Sequence, residues 1–127
     1  MCNIGEKGLW SEGIQVRTSD HHAIIDLETG EVINRPRDVI IGRRFWIGAQ
    51  VCFLKGTQIS DGSIIGARTV ISKRVGENEL WAGTPAKKLR SNVAWSGEIT
   101  PSPESIKNNS LVDLLMESRY FSAIPVY

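Results

Sequence analysis

The chain has 127 residues, 41% of them hydrophobic and 23% charged, with 15 Lys and Arg against 14 Asp and Glu for a formal net charge of +1. One domain fits that length. The near-neutral balance excludes charge-driven, non-specific capture of nucleic acid or anionic membrane, and no apolar run approaches the ~20 residues that span a bilayer.

From the N-terminus, Ile4, Trp10, Val16 and His22 recur at intervals of six, so residues 4–20 read as a first coil, with Trp10 large for an interior position. The phase stops over 23–38. There, Ala23–Leu27 and Val32–Ile33 flank a Glu-Thr-Gly turn, the pattern of a hairpin-like excursion. Ile41, Ile47, Phe53, Ile59, Ile65 and Ile71 then restart the interval of six and carry it to about Val75. That period matches neither an amphipathic helix nor a half-buried strand. A fixed hexapeptide period is the signature of a parallel β-helix, in which three short faces make one triangular coil and stacked coils bury a column of apolar residues.

The rest of each hexapeptide agrees. Gly42, Gly48, Leu54, Ser60, Gly66 and Ser72 follow the apolar residues and are mostly small, as a tight corner requires. Phe45, Val51, Thr57, Ser63, Thr69 and Val75 come four later and are mostly small or β-branched, as expected of the flat strand between corners. Coils at the ~4.8 Å spacing of paired strands give a prism only about three coils tall. Its open edges predict caps and partner subunits. The in-phase start at Ile4 fits a short member of its class or a piece of a longer protein.

Residues 76–91 are expected to leave the repeat through Gly83-Thr84-Pro85 and to end in the basic group Lys87, Lys88 and Arg90. The stretch 97–105, rich in Pro, Ser and Glu, reads as a linker. Apolar residues at Leu111, Val112, Leu114, Leu115 and Met116 predict a helix over 105–119, with an N-cap at Ser102 or Ser105. The division is therefore a repeat domain over 1–91, with its excursion at 23–38, and a linker and helical tail over 92–127. The tail's expected role is to cover a coil edge or embrace a neighbouring subunit.

Three groups carry chemistry. The two histidines of the chain are adjacent, His21 and His22, where the first coil gives way to the excursion. Extended backbone would point them to opposite sides. Imidazole, with a pKa near ~6.5 in model compounds, can take a proton at neutral pH as a general base must; the alternative is a hydrogen-bonded surface residue. Trp46 precedes the inward Ile47, so it projects outward and marks a subunit interface or a ligand pocket. Lys73, Arg74, Lys87, Lys88 and Arg90 make a solvated basic face or a phosphate clamp. Cys2 and Cys52 make neither a disulfide framework nor a metal-ligand spacing, and the N-terminus lacks the h-region of a signal peptide. A cytoplasmic location is the expectation.

Residues 4–90 resemble the left-handed β-helix acyltransferases, the hexapeptide-repeat family that uses acetyl-coenzyme A. The resemblance is carried by Ile41-Gly42-Arg43-Arg44-Phe45-Trp46-Ile47-Gly48-Ala49, by Ile65-Gly66-Ala67-Arg68-Thr69-Val70-Ile71-Ser72-Lys73, and by Ala82-Gly83-Thr84-Pro85-Ala86-Lys87. Arg17-Thr18-Ser19-Asp20-His21-His22 with Ile25-Asp26 is similar to the subgroup that O-acetylates sugars and capsular polysaccharides. The resemblance implies an all-β, left-handed parallel β-helix that works as a homotrimer on a carbohydrate acceptor, with acetyl-CoA as co-substrate, no metal, no nucleic acid and no membrane insertion. It implies His22 as general base in a direct transfer, and Trp46 shaping the acceptor and thioester pocket beside the histidine of an adjoining subunit. Ala49 and Ala67 match positions whose backbone meets the pantetheine arm. Ser72 and Lys73 match further coenzyme contacts, and Lys87 and Arg90 match basic positions near the nucleotide phosphates. Other classes stay open: a non-catalytic or truncated assembly module, and an N-acetyltransferase of an amino-sugar nucleotide. A metal enzyme on the same prism, of the γ-type carbonic anhydrase kind, would need three converging histidines.

Overall fold

A computed structural model describes residues 1–106 of the chain. Twelve strands of two to four residues follow one another: β1 (Cys2–Ile4), β2 (Leu9–Trp10), β3 (Gln15–Val16), β4 (Val39–Ile41), β5 (Trp46–Ile47), β6 (Cys52–Phe53), β7 (Gln58–Ile59), β8 (Ile64–Ile65), β9 (Val70–Ile71), β10 (Arg74–Val75), β11 (Leu80–Ala82) and β12 (Lys87–Arg90). Every third strand pairs. The first wall runs β1-β4-β7-β10, the second β2-β5-β8-β11-β12, and the third β3-β6-β9. All pairings are parallel except β11 with β12. A chain that visits three walls in rotation and advances one strand each time is a parallel β-helix.

The hexapeptide phase sets the register. Ile4 pairs with Ile41, Trp10 with Ile47 and Val16 with Phe53. The six in-phase residues Ile41 to Ile71 are 0–2% exposed, and burying such a side chain contributes about 1.5–3 kcal/mol. Trp10 is inside, its ring edge-on to Phe45 at 5.0 Å and to Phe53 at 6.5 Å between centroids. The Phe45 ring also lies against Gly8 of the first coil, where any Cβ would collide with it.

Thr57, Ser63 and Thr69 are fully buried, and for a reason other than strand propensity. They lie just before β7, β8 and β9, where each hydroxyl reaches back to the carbonyl three residues earlier: Leu54 at 2.6 Å, Ser60 at 2.6 Å and Gly66 at 2.7 Å. A hydroxyl in this place binds corner backbone that the coil turns inward.

The prism continues past the point expected of it. Ile71 is followed by Val75, which pairs with Ile59 on the first wall, so this step of the repeat is four residues instead of six. Trp81 then pairs with Ile65, giving three complete coils and two walls of a fourth. After Ala82 the chain reverses through Gly83 and the cis Thr84–Pro85 bond, and β12 returns antiparallel along β11. Lys87, Lys88 and Arg90 thus belong to a strand on the edge of the second wall and not to a departing tail.

Residues 17–38 leave between β3 and β4 and fold into the expected hairpin. Ile25 bridges Val32, and Asp26 Oδ1 accepts the N–H groups of Glu28 and Thr29 at 2.8 and 3.2 Å. Residues 103–106 form one helical turn capped by Ser102, whose Oγ accepts the Ser105 N–H at 3.1 Å. Past residue 106, the helix expected over 105–119 lies outside the described residues. No helix among the described residues is long and apolar enough to cross a membrane.

Candidate active site

The histidine pair sits where the excursion leaves the prism. Its backbone is not extended: His21 has φ +68°, and its N–H is held by Ser19 Oγ at 3.0 Å. The alternation expected of neighbouring residues in a strand therefore does not apply, and His22, although six after Val16, lies outside every wall. Both imidazoles are exposed.

Asn34, from the returning limb of the hairpin, holds this segment. Its Nδ2 donates to the His22 carbonyl at 2.8 Å and to Asp20 Oδ2 at 2.9 Å, and its Oδ1 accepts the Ile24 N–H at 2.7 Å. Asp20 Oδ2 also accepts from Lys55 Nζ at 2.6 Å. Lys55 belongs to the next coil, at the corner between β6 and β7, so the bond ties the excursion to the prism. The Lys55 and Asn34 hydrogen bonds hold the Asp20 carboxyl below the usual carboxylate range. Arg37 N–H donates to the Thr18 carbonyl at 3.0 Å and closes the base of the loop. The hairpin leaves Ile24, Ile25, Leu27 and Ile33 exposed, Leu27 almost fully at 96%.

Trp46 projects outward from the second wall, as expected, and is 40% exposed. It lies on a different wall from the corner that carries the histidines. Its neighbour within the chain is Trp95, with ring centroids 6.4 Å apart.

Ala49 and Ala67 stack at the corner between the second and third walls, where Arg68 N–H donates to the Ala49 carbonyl at 2.8 Å. The β11–β12 turn crosses the top of the same corner, with Val70 N–H on the Gly83 carbonyl at 3.2 Å, and Lys87 begins β12 opposite Ala82. These three residues therefore follow one edge of the prism. Arg90 stands at the far end of β12, opposite Leu80. Ser72 and Lys73 turn the corner between β9 and β10, across the third wall from Ala49 and Ala67. Among the described residues no group of three or more His, Cys, Asp or Glu side chains could hold a metal ion.

No family model matches the chain. Individual relatives do. It is 34% identical over 97 residues to a polysialic acid O-acetyltransferase of Escherichia coli O1:K1, an alignment that covers 75% of this chain and 32% of the relative. The solved structure of the polysialic acid O-acetyltransferase OatWY superimposes with a TM-score of 0.78 at 35% identity, over 86% of this chain and 53% of that one. A galactoside acetyltransferase solved with coenzyme A shares the fold, with a TM-score of 0.62 at 24% identity over 80% of this chain. The fold is that of the left-handed β-helix, hexapeptide-repeat acetyltransferases, to which the chain is similar. It spans about a third to a half of the length of the relatives it matches.

Within this prism, the sequence signals found the inward column and the outward Trp46. They missed Asn34 and Lys55, the two side chains that fix the histidine segment. Neither sits in a motif: Asn34 lies in the out-of-phase hairpin and Lys55 at a polar corner. Trp95 was also missed, because the stretch after Arg90 carries no period; a lone tryptophan in polar sequence is the one signal that marks it.

Proposed function

We propose that the chain is an acetyl-CoA-dependent O-acetyltransferase acting on a hydroxyl of a sugar or polysaccharide. The reading rests on one coincidence: a histidine pair whose backbone is clamped at the mouth of an excursion, on a prism shared at 35% identity with a polysialic acid O-acetyltransferase. His22 acts as general base. Its imidazole takes the proton of the acceptor hydroxyl as that oxygen attacks the thioester carbonyl of acetyl-CoA. The carbon–sulfur bond then breaks, and the proton passes from the imidazolium to the departing thiolate. No covalent enzyme intermediate forms.

The co-substrate lies along the edge marked by Ala49 and Ala67, with Lys87 toward its phosphates, while Arg90, at the far end of β12, and Ser72 and Lys73, across the third wall, serve the co-substrate from an adjoining protomer. Trp46 serves the histidine of an adjoining protomer in a homotrimer. Two features support that arrangement. His22 and Trp46 occupy different regions of one prism, and the hairpin exposes four large aliphatic side chains that an adjoining subunit would cover. Residues 1–91 constitute the acyltransferase unit and 92–127 an appended tail, and the protein works in the cytoplasm.

The test is release of free thiol from acetyl-CoA by the purified protein, with polysialic acid and a galactoside as acceptors. Transfer is expected, and His22→Ala lowers turnover by ~10²–10⁴-fold without changing the oligomer. A variant that keeps full transfer removes His22 from the mechanism.

A further inference from the structure

Beyond β12 the chain runs back down the corner between the first and second walls. Val93 N–H donates to the Asn78 carbonyl at 2.9 Å, in the fourth coil. Two residues later, Trp95 Nε1 donates to the Arg44 carbonyl at 2.8 Å, in the second coil. This segment, with the turn at 103–106 beyond it, stands over the outer face of the second wall. It encloses a cleft of about 950 Å³ whose floor is Leu9, Trp46 and Ile64. Lys7, Arg44 and Glu98 are the charged residues of its lining.

We infer that this cleft binds a sugar ring of the acceptor, and that Trp95 is an acceptor-binding residue supplied from outside the repeat. The inference rests on the proposed transfer reaction and deepens it. Three observations carry it. The volume lies in the range of small-ligand sites. Two indoles converge at 6.4 Å with planes inclined at 51°, which leaves Trp46 40% exposed and presents aromatic faces to the C–H face of a pyranose. The lining is mostly apolar, with Lys7, Arg44 and Glu98 supplying charge of both signs to pair with hydroxyl and carboxylate groups. Trp46, already assigned to the acceptor pocket, forms the cleft floor, so the cleft and the reacting histidine of an adjoining protomer belong to one site. Trp95 fixes where the sugar lies relative to Trp46, and its hydrogen bond to Arg44 fixes Trp95.

The test measures steady-state acetyl transfer to polysialic acid oligomers by thiol release, together with the quenching of indole fluorescence by the same oligomers without acetyl-CoA. Trp95→Ala is expected to raise the acceptor KM about tenfold, the order expected for one lost aromatic stacking partner. The KM for acetyl-CoA stays within about twofold. Trp95→Phe, which keeps a ring but loses the indole N–H that fixes it, recovers part of the acceptor affinity and falls between the wild type and Trp95→Ala. An unchanged acceptor KM in Trp95→Ala overturns the inference, as does an equal rise in both KM values, which marks a merely structural role. Dissociation of the oligomer by Trp95→Ala also overturns it and makes the cleft a subunit contact. Failure of the wild type to transfer acetyl to any acceptor defeats the proposed reaction instead. Quenching that is lost in Trp95→Ala then still supports sugar binding in the cleft, and its absence from the wild type overturns both readings.

Discussion

Asn34 Nδ2 donates to the His22 carbonyl at 2.8 Å, across twelve residues of hairpin. The same amide reaches the Asp20 carboxylate and the Ile24 N–H, so one side chain holds the backbone just after the imidazole and a carboxylate just before it. An exposed histidine gains little orientation from packing. Its placement depends on the chain beneath it, which makes Asn34 a positioning residue.

Asn34→Ala removes all three bonds, while Asn34→Asp keeps the acceptor for Ile24 but sets a carboxylate oxygen against Asp20. Acetyl transfer is expected to fall in both, by about 10–100-fold in the alanine variant, since misplacing a reacting group by ~1 Å costs ~10²-fold. The aspartate variant is expected to be no better than alanine, although it is nearly isosteric. Hydrogen exchange at Ile24 separates the two, with protection lost in Asn34→Ala and partly kept in Asn34→Asp. An aspartate variant with wild-type turnover would remove the clamp from the mechanism.

The Asp20–Lys55 pair predicts a pH dependence. Asp20 titrates below the usual carboxylate range because Lys55 and Asn34 bond its charged form. A depressed folded pKa contributes stability above the unfolded pKa of ~3.9 and loses it as pH falls through the lower folded value. The excursion should therefore stay tied to the prism at neutral pH and loosen only in acid below about pH 4. Lys55→Met removes the largest cause, and the Asp20 carboxyl resonance in an NMR titration is expected to move up toward its ordinary midpoint. No movement would show that Lys55 does not hold it.

The inward column was legible because each of its residues faces the same environment at the same interval. Ile41 to Ile71 repeat one chemical demand six times, and even Trp10 obeyed the phase despite its size. The four-residue step from Ile71 to Val75 was not legible, since Val75 satisfies the small or β-branched place of the ongoing repeat as well as the inward place of a shortened one. The renewed spacing of six from Val75 to Trp81 is the signal that reveals the fourth coil. His22 misled in the opposite way: it keeps the interval, but the αL turn at His21 has already taken the chain off the wall. Site polar groups such as Asn34 and Lys55 follow no period, because each serves a single local bond.

Glu79 offers a test of how the last coil is held. Its Oε1 accepts the Trp81 indole N–H at 3.0 Å and the Gly76 N–H at 2.7 Å, and Lys88 Nζ lies 3.5 Å from Oε2. The Trp81 bond is the main reason its carboxyl titrates below the usual range. Glu79→Ala leaves a largely covered indole N–H and a corner N–H without this partner, at an expected cost of about 1–3 kcal/mol in denaturant unfolding. Lys88→Ala removes only the exposed ion pair and should cost less than about 1 kcal/mol. Equal losses in the two variants would place the stabilisation in the ion pair instead.

Lys87, exposed on β12, bears on the co-substrate. Coenzyme A, if it binds the native chain alone, raises the melting temperature in proportion to RT ln(1 + [L]/Kd). Lys87→Ala is expected to reduce that rise at fixed coenzyme A while leaving the melting temperature of the free protein near wild type. Lys88→Ala, whose amine faces Glu79, should retain the rise. If both lysine variants keep full protection, the phosphates lie elsewhere.

Gly48 tests the edge on which Ala49 and Ala67 lie. A Cβ built there would stand 2.6 Å from Ala67 N, 2.9 Å from Ala67 Cα and 2.9 Å from the Gly66 carbonyl carbon. These are backbone atoms, which cannot swing aside as a flexible side chain would, so Gly48→Ala must push a pair of stacked coils apart. Gly30, at the hairpin tip, has nothing within 4 Å of such a Cβ but a φ of +75°, so Gly30→Ala incurs only backbone strain of about 1–2 kcal/mol. Overpacking at Gly48 is expected to cost about 1–3 kcal/mol and, unlike the Gly30 change, to diminish thermal protection by coenzyme A, because it shifts Ala67 itself. A Gly48→Ala protein that melts lower yet is protected as fully as the wild type would show that the pantetheine arm does not run along this edge.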